Sequence, residues 1–165
     1  MAVAASLRGA RARGFTLIEV LVVVMIIVVI VGLIGVQLMR GPADIVREES
    51  ERLALLLSAA REEAILQGRV FAFGAERESY RFLRLEPNGR LKPTSSDELL
   101  RPARLPPGIT IEALQIEGAG EATLDGLVFL PSGELPAFRV VLGTAGIRWS
   151  VVGAPDGTIR ARAGS

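Results

Sequence analysis

The sequence predicts an α+β protein in which a long N-terminal transmembrane helix continues into an amphipathic helix packed on antiparallel β-sheet. Three observations predict it. No side chain from residue 20 to residue 36 carries a charge; apolar residues between 53 and 65 recur at spacings of three and four; and beyond Gly68 the period drops to about two, with turn formers between short apolar stretches.

The apolar run begins at Phe15 and reaches Met39, about 25 residues and about 37 Å as a helix, enough to cross a bilayer. Val and Ile dominate it and would favour a strand in water. In hydrocarbon an isolated strand leaves its backbone N–H and C=O groups without partners, whereas a helix pairs them internally. A core helix of a soluble protein would not run this far without a polar face. Pro is absent from the run, and Gly32 and Gly35 are the positions where the helix can soften.

Glu19 is the exception in this segment. A carboxylate costs roughly 3 kcal/mol at the centre of a membrane helix and less near an end, so it needs a partner or a task. No Lys or Arg lies near it on the side toward Val36. Before the run, Arg8, Arg11 and Arg13 stand with no acid among them, which holds that end in the cytoplasm and sends the rest to the far side. An ordinary secretory signal would have a shorter apolar core and a small-residue cleavage site, and here the run ends in Leu38-Met39-Arg40.

Pro42 opens the next helix, and Asp44, Glu48, Glu49 and Glu51 crowd its beginning, where a helix N-terminus favours acids. Leu53, Leu56, Leu57, Ala60, Ala64 and Ile65 form the apolar stripe that packs on a sheet, with Arg52, Glu62 and Glu63 on the wetter side. Gly68 stops the helix. Strands are expected at 70–73 and 80–85, the second turning through Asn88-Gly89 in a tight hairpin. Residues 92–107, with four prolines, read as a loop with Leu99-Leu100 tucked beneath it. Ile109, Ile111 and Ala113 alternate with polar residues as a half-buried strand does. Further strands are expected at 127–130, 138–142 and 147–152, with a turn at 154–157 leading into 158–160 and the strands forming one sheet or two small ones.

The 165 residues leave room beyond the membrane segment for one small domain with a single core. A formal net charge of +1 gives no reason to expect nucleic acid as a partner. With no Cys there is neither a disulfide framework nor thiolate chemistry, and with no His the commonest metal ligand and general base are missing. Lys92 is the only lysine, and Ser95 and Ser96 beside it lie among turn formers. Asp97-Glu98 lacks the further oxygens of a cation cage, and Arg160 with Arg162 is a thin phosphate-binding pair. No catalytic residue, cofactor, metal site or small-molecule substrate is therefore expected, and the chain is not read as an enzyme.

Arg13-Gly14-Phe15-Thr16-Leu17-Ile18-Glu19, followed at once by the apolar run, resembles the class III leader junction of type IV pilins and type II secretion pseudopilins. The resemblance implies cleavage by a prepilin peptidase between Gly14 and Phe15, N-methylation of Phe15, and pairing of Glu19 with the free amine of a neighbouring subunit during fibre assembly. An amine of pKa near 8 is cationic at neutral pH and offsets such an acid. Residues 52–57, 60–65 and 68–69, with Tyr80-Arg81-Phe82-Leu83, Leu105-Pro106-Pro107-Gly108 and Phe129-Leu130-Pro131-Ser132-Gly133, are similar to the GspH/FimT domain of minor pseudopilins and minor pilins. The divisions implied are a leader over 1–14, a transmembrane helix over 15–39, an amphipathic helix over 40–68 and a periplasmic β-rich part over 69–165. The implied partners are sister major and minor pseudopilins, an inner-membrane assembly platform and the membrane itself. The expected place is the inner membrane, crossed once, with the C-terminal domain periplasmic. The function implied is that of a minor pseudopilin that helps initiate or cap a secretion pseudopilus. The alternative is a minor type IV pilin in pilus assembly or DNA uptake, which would call for a basic surface.

Overall fold

The structure, a computed structural model, describes residues 16–38, 41–94, 99–118 and 126–164, with 31–38 described by backbone alone. The chain divides into two units, 1–40 and 41–165. Gly14, Phe15, the joint at 39–40 between the two expected helices, and the group Ser95, Ser96, Asp97 and Glu98 lie outside the described residues.

The first unit holds α1, Leu17–Leu38, a helix of 22 residues. At 1.5 Å per residue it is about 33 Å long. Its described side chains end at Ile30, and among the described residues no helix is long and apolar enough to cross a membrane.

The second unit opens on α2, Pro42–Gln67, with Gly41 as N-cap, Pro42 in the first turn and Gly68 closing it in the left-handed conformation at φ 61°. Gly68 and Arg69 donate their N–H groups back to the carbonyls of Ile65 and Ala64, which satisfies the last turn. The stripe is buried as its spacing dictates: Leu53, Leu57, Ala60 and Ala64 are fully enclosed. It also extends further toward the N-terminus, through Val46, Glu49 and Ser50. Ile65, expected in the stripe, is 42% exposed, because it falls about 100° around the helix from Ala64.

Two antiparallel sheets follow. β1 (Phe71–Ala75), β2 (Ser79–Leu85), β3 (Leu91–Pro93), β4 (Ala103–Arg104) and β6 (Leu127–Phe129) form a five-stranded sheet in the order β3-β2-β1-β6, with β4 also on β2. β5 (Thr110–Ile116), β7 (Phe138–Thr144), β8 (Ile147–Gly153) and β9 (Ile159–Ala163) form a four-stranded sheet in the order β5-β7-β8-β9. α2 packs against β1 and β6 of the first and β7, β8 and β9 of the second. Phe71, Phe73, Phe82 and Phe129 from one sheet and Leu114, Val140, Leu142 and Val151 from the other therefore share one core with the helix.

Four details depart from the periodicity. Residues 92–107 are not all loop, since β3 and β4 both pair with β2 there. Pro93 is tolerated because it ends an edge strand, where its missing N–H breaks no ladder. Leu100 is buried beneath this segment, but Leu99 faces out. The hairpin at Asn88-Gly89 is wider than a two-residue turn: Glu86 N–H reaches the Arg90 carbonyl at 2.9 Å around residues 87–89, with Gly89 left-handed at φ 76°. A bulge between Ile111 and Ala113 shifts β5 by one residue, so Leu114 takes the core position and Ala113 turns half outward. β6 stops at Phe129, leaving Leu130 at the surface.

Arg61 ties α2 to two turns. Its Nε donates to the Gly133 carbonyl at 3.0 Å, and its guanidinium lies against Gly157, where an added Cβ would sit 2.6 Å from Nη2. Leu57→Ala should lower unfolding free energy by about 3 kcal/mol in urea melts, while Leu55→Ala, two residues away but outward-facing, should change it by less than about 0.5 kcal/mol. Comparable losses would contradict the assigned helix face.

Candidate assembly site

Thr16 begins α1. Its carbonyl accepts from Glu19 N–H at 3.0 Å and from Val20 N–H at 3.3 Å, and its Oγ1 stands 3.4 Å from Glu19 N. Thr16-Leu17-Ile18-Glu19 has the spacing of a capping box, a local signal that the reading of Glu19 as an assembly residue passed over. The Glu19 side chain is exposed and its acid sits in the first turn, where the helix dipole favours it. Gly14 and Phe15, the other two residues of the predicted junction, are outside the described residues, so only Glu19 of the three has a place.

The globular unit carries its acidic chemistry on α2. Glu49 is 5% exposed and sits on the core side of the helix. Arg52, one turn on, reaches both its carboxylate oxygens at 3.4 Å. The Tyr80 hydroxyl from β2 is close by: the residue is 2% exposed, and its oxygen makes no hydrogen bond of ordinary geometry among the described residues. Burial first, and the neighbouring Glu49 charge second, push the phenol up to about 12. Burial likewise raises the Glu49 carboxyl, against the opposing pull of Arg52. Sequence periodicity placed Glu49 among the dipole-facing acids of the first turns; only the packing of α2 on both sheets turns it inward.

Above this cluster a groove of about 670 Å³ runs between α2 and the segment before β4, walled by Leu55, Leu56 and Ala59 on one side and Leu99 and Arg101 on the other. Lys92 is exposed, and Arg160 and Arg162 project from β9. Among the described residues no three His, Cys, Asp or Glu side chains cluster as metal ligands would.

Comparison with known proteins agrees with this geometry. A family model described as type II transport protein GspH matches residues 49–157, and one described as the prokaryotic N-terminal methylation motif matches residues 9–35. Type II secretion system protein H of Pseudomonas aeruginosa is 37% identical over 147 residues, which cover 81% of this chain and 84% of that protein. The crystal structure of the minor pseudopilin EpsH from the type II secretion system of Vibrio cholerae matches with a TM-score of 0.64 at 22% identity, covering 76% of this chain and 98% of that one. A second structure of EpsH matches with 0.59 at 25% identity, over 73% and 98%. These structures share the helix packed on antiparallel sheets.

The raised Glu49 carboxyl makes stability depend on pH. The folded state keeps this proton to higher pH than the unfolded chain, whose value is near 4.5, so the contribution is whole below that value and is lost as pH rises through the folded one. Glu86 and Asp156, both held low by hydrogen bonds, act in the opposite sense and cancel between parent and variant. Glu49→Gln should thus gain on the parent in urea melts taken from about pH 4 to about pH 7. A difference flat in pH would mean the carboxylate is solvated.

Proposed function

The chain belongs to the GspH family of type II transport proteins and is a minor pseudopilin of type II secretion, and on that footing we propose that it helps initiate or cap the periplasmic pseudopilus that drives export of folded proteins across the outer membrane. The observation that carries this reading is the joining of two signals in one chain. The methylation motif covers residues 9–35, including the Gly14-Phe15 junction and Glu19, and the GspH domain begins 14 residues beyond it, at residue 49.

In this reading prepilin peptidase cuts between Gly14 and Phe15 and the new amine of Phe15 is methylated. The arginine-bearing leader stays cytoplasmic, α1 waits in the inner membrane as a single span, and residues 41–165 stand in the periplasm. The length of α1, 22 residues, supports such a span. Sister major and minor pseudopilins and the inner-membrane assembly platform are its partners.

Glu19 has two tasks to reconcile. Its position in the capping box stabilises the start of α1, which an amide performs as well as a carboxylate. Its charge meets the Phe15 amine of the adjoining subunit as both leave lipid, and only the carboxylate does that. This division gives the reading its test. Mass and N-terminal sequence of protein recovered from membranes should show a methylated Phe15 start, and Gly14→Arg should retain the leader and its larger mass. Glu19→Gln should be processed and inserted as the parent is, yet enter fibres several-fold less well. Normal incorporation of Glu19→Gln would confine Glu19 to capping, and an intact leader on functioning protein would remove the proposal.

A further inference from the structure

α2 covers one face of the five-stranded sheet, and strand register defines what stands on the other. Phe71 with Phe129, and Phe73 with Phe82 and Leu127, lie in the core beneath α2, so the residues between them point away from it. One cross-strand row on that outer face is Pro93, Leu83, Ala72 and Val128. Two residues along each strand comes the next row, Leu91, Leu85, Val70 and Leu130, where Leu91 pairs with Leu85 and the Leu85 N–H reaches the Val70 carbonyl at 2.9 Å. Apolar side chains thus stand side by side on four neighbouring strands, with no charge in either row. Leu91, Val128 and Leu130 are 52%, 42% and 39% exposed, and Leu83, Leu85 and Val70 are half-buried.

An antiparallel sheet with one face on a core ordinarily turns polar side chains to water on the other. The four-stranded sheet of the same unit obeys this rule, since an outward row there is Gln115, Arg139, Val152 and Arg160. The five-stranded sheet is apolar on its second face as well. Charge enters that face at its margin, where Arg81 lies over Gly74, its Cγ 3.6 Å from where a Cβ would stand, and pairs with Glu76. An apolar centre inside a polar margin is the anatomy of a protein contact.

We infer that this outer face docks an apolar, uncharged surface of a sister pseudopilin. With no cation in either row, it offers nothing to a nucleic acid or to lipid phosphates. The chain's own residues 119–125, outside the described ones, supply one large apolar side chain, Leu124, between Glu121 and Asp125, which is too little to cover two rows. Four strands about 4.8 Å apart and two rows about 7 Å apart span a patch on the order of 200 Å². A stable dimer of free copies needs about 800 Å² from each partner. So small a contact holds only where other contacts already keep two chains side by side, as anchoring in one fibre does. The inference rests on the proposed assembly with sister pseudopilins and adds the face at which one of them sits. One apolar face takes one neighbour and sets no repeating row, which suits a subunit that begins or caps a fibre.

Full-length protein carrying a p-benzoylphenylalanine photoprobe at position 130, made in cells with the sister pseudopilins and irradiated there, should give one adduct whose peptides identify a sister pseudopilin. The same probe at position 139, on the outward face of the other sheet, should give none of it. Leu91→Glu together with Val128→Glu, both at exposed sites, should lower the adduct by more than about tenfold, with thermal melting unchanged. The comparison of the two probe positions stands whether or not that variant folds. An adduct with a second copy of this chain, with lipid, or within one chain to residues 119–125 overturns the inference. Equal yield from the two positions overturns it too, as does an adduct indifferent to the two glutamates or no adduct at all. Processed, fibre-incorporated protein without the adduct removes this inference only; protein that keeps its leader removes the reading beneath it.

Discussion

Two sheets, each apolar on one face, are closed by a single helix, and the rest of the globular unit depends on that contact. α2 meets β1 and β6 of one sheet and β7, β8 and β9 of the other. Leu53 and Leu57 are wholly buried there, each adding about 2 kcal/mol of transfer free energy. Ala60 and Ala64 do different work: with only a methyl each, they let the helix backbone approach the strands, so that Arg61 beside them reaches the turns at Gly133 and Gly157. A larger residue at either alanine would lift the helix and weaken both sheet contacts together.

The same contact explains the polar residues held inside. Ser50 returns its hydroxyl to the Val46 carbonyl at 2.7 Å, so its burial leaves nothing unsatisfied. Glu49 is costlier. Arg52 reaches it from the half-exposed side of the helix, which offsets part of the desolvation, and a pair of this kind adds little net stability. Its presence beside the Tyr80 hydroxyl marks the point where α2, β2 and the segment before β4 converge, below a groove rimmed by Leu55.

What the sequence makes legible follows from the range of the interactions involved. The α2 stripe, its stop at Gly68 and the long strands β2, β7 and β8 are local patterns, readable because periodicity and glycine conformation act over a few residues. β3 and β4 are too short to show a period, and their order comes from pairing with β2; Thr94 illustrates this, bonding through its N–H and its hydroxyl to the Phe82 carbonyl, both at 3.1 Å. The bulge in β5 is equally invisible, because Glu112 is accommodated there beside Gly143 of β7, a residue about 30 positions away. The inward turn of Glu49 escaped for the same reason. Of the candidate site, the Gly14-Phe15-Glu19 junction is a linear string, and only Glu19 of it lies among the described residues. Arg160 and Arg162 read in the sequence as an isolated pair, whereas strand register sets Arg139 and Arg148 on the same side of the four-stranded sheet, from strands separated in sequence.

One core, with Leu57, Val140 and Val151 in it, separates the outward face of α2 from the outward face of the four-stranded sheet. On the helix side Asp44 and Glu51 share Arg47, and on the sheet side Glu112 holds Arg148 at 2.7 Å. Side chains of a few ångströms cannot span that layer, so Asp44 and Glu51 on the helix side do not pair with Arg139 and Arg160 on the sheet side within this unit. α1 begins on a local cap of its own, the Thr16 carbonyl accepting from Glu19 N–H at 3.0 Å, and the Glu19 acid stands in the first turn, where the helix dipole favours it. The two units thus place their acids by different rules, Glu19 by the dipole of its own helix and Glu49 by the packing of α2 on two sheets.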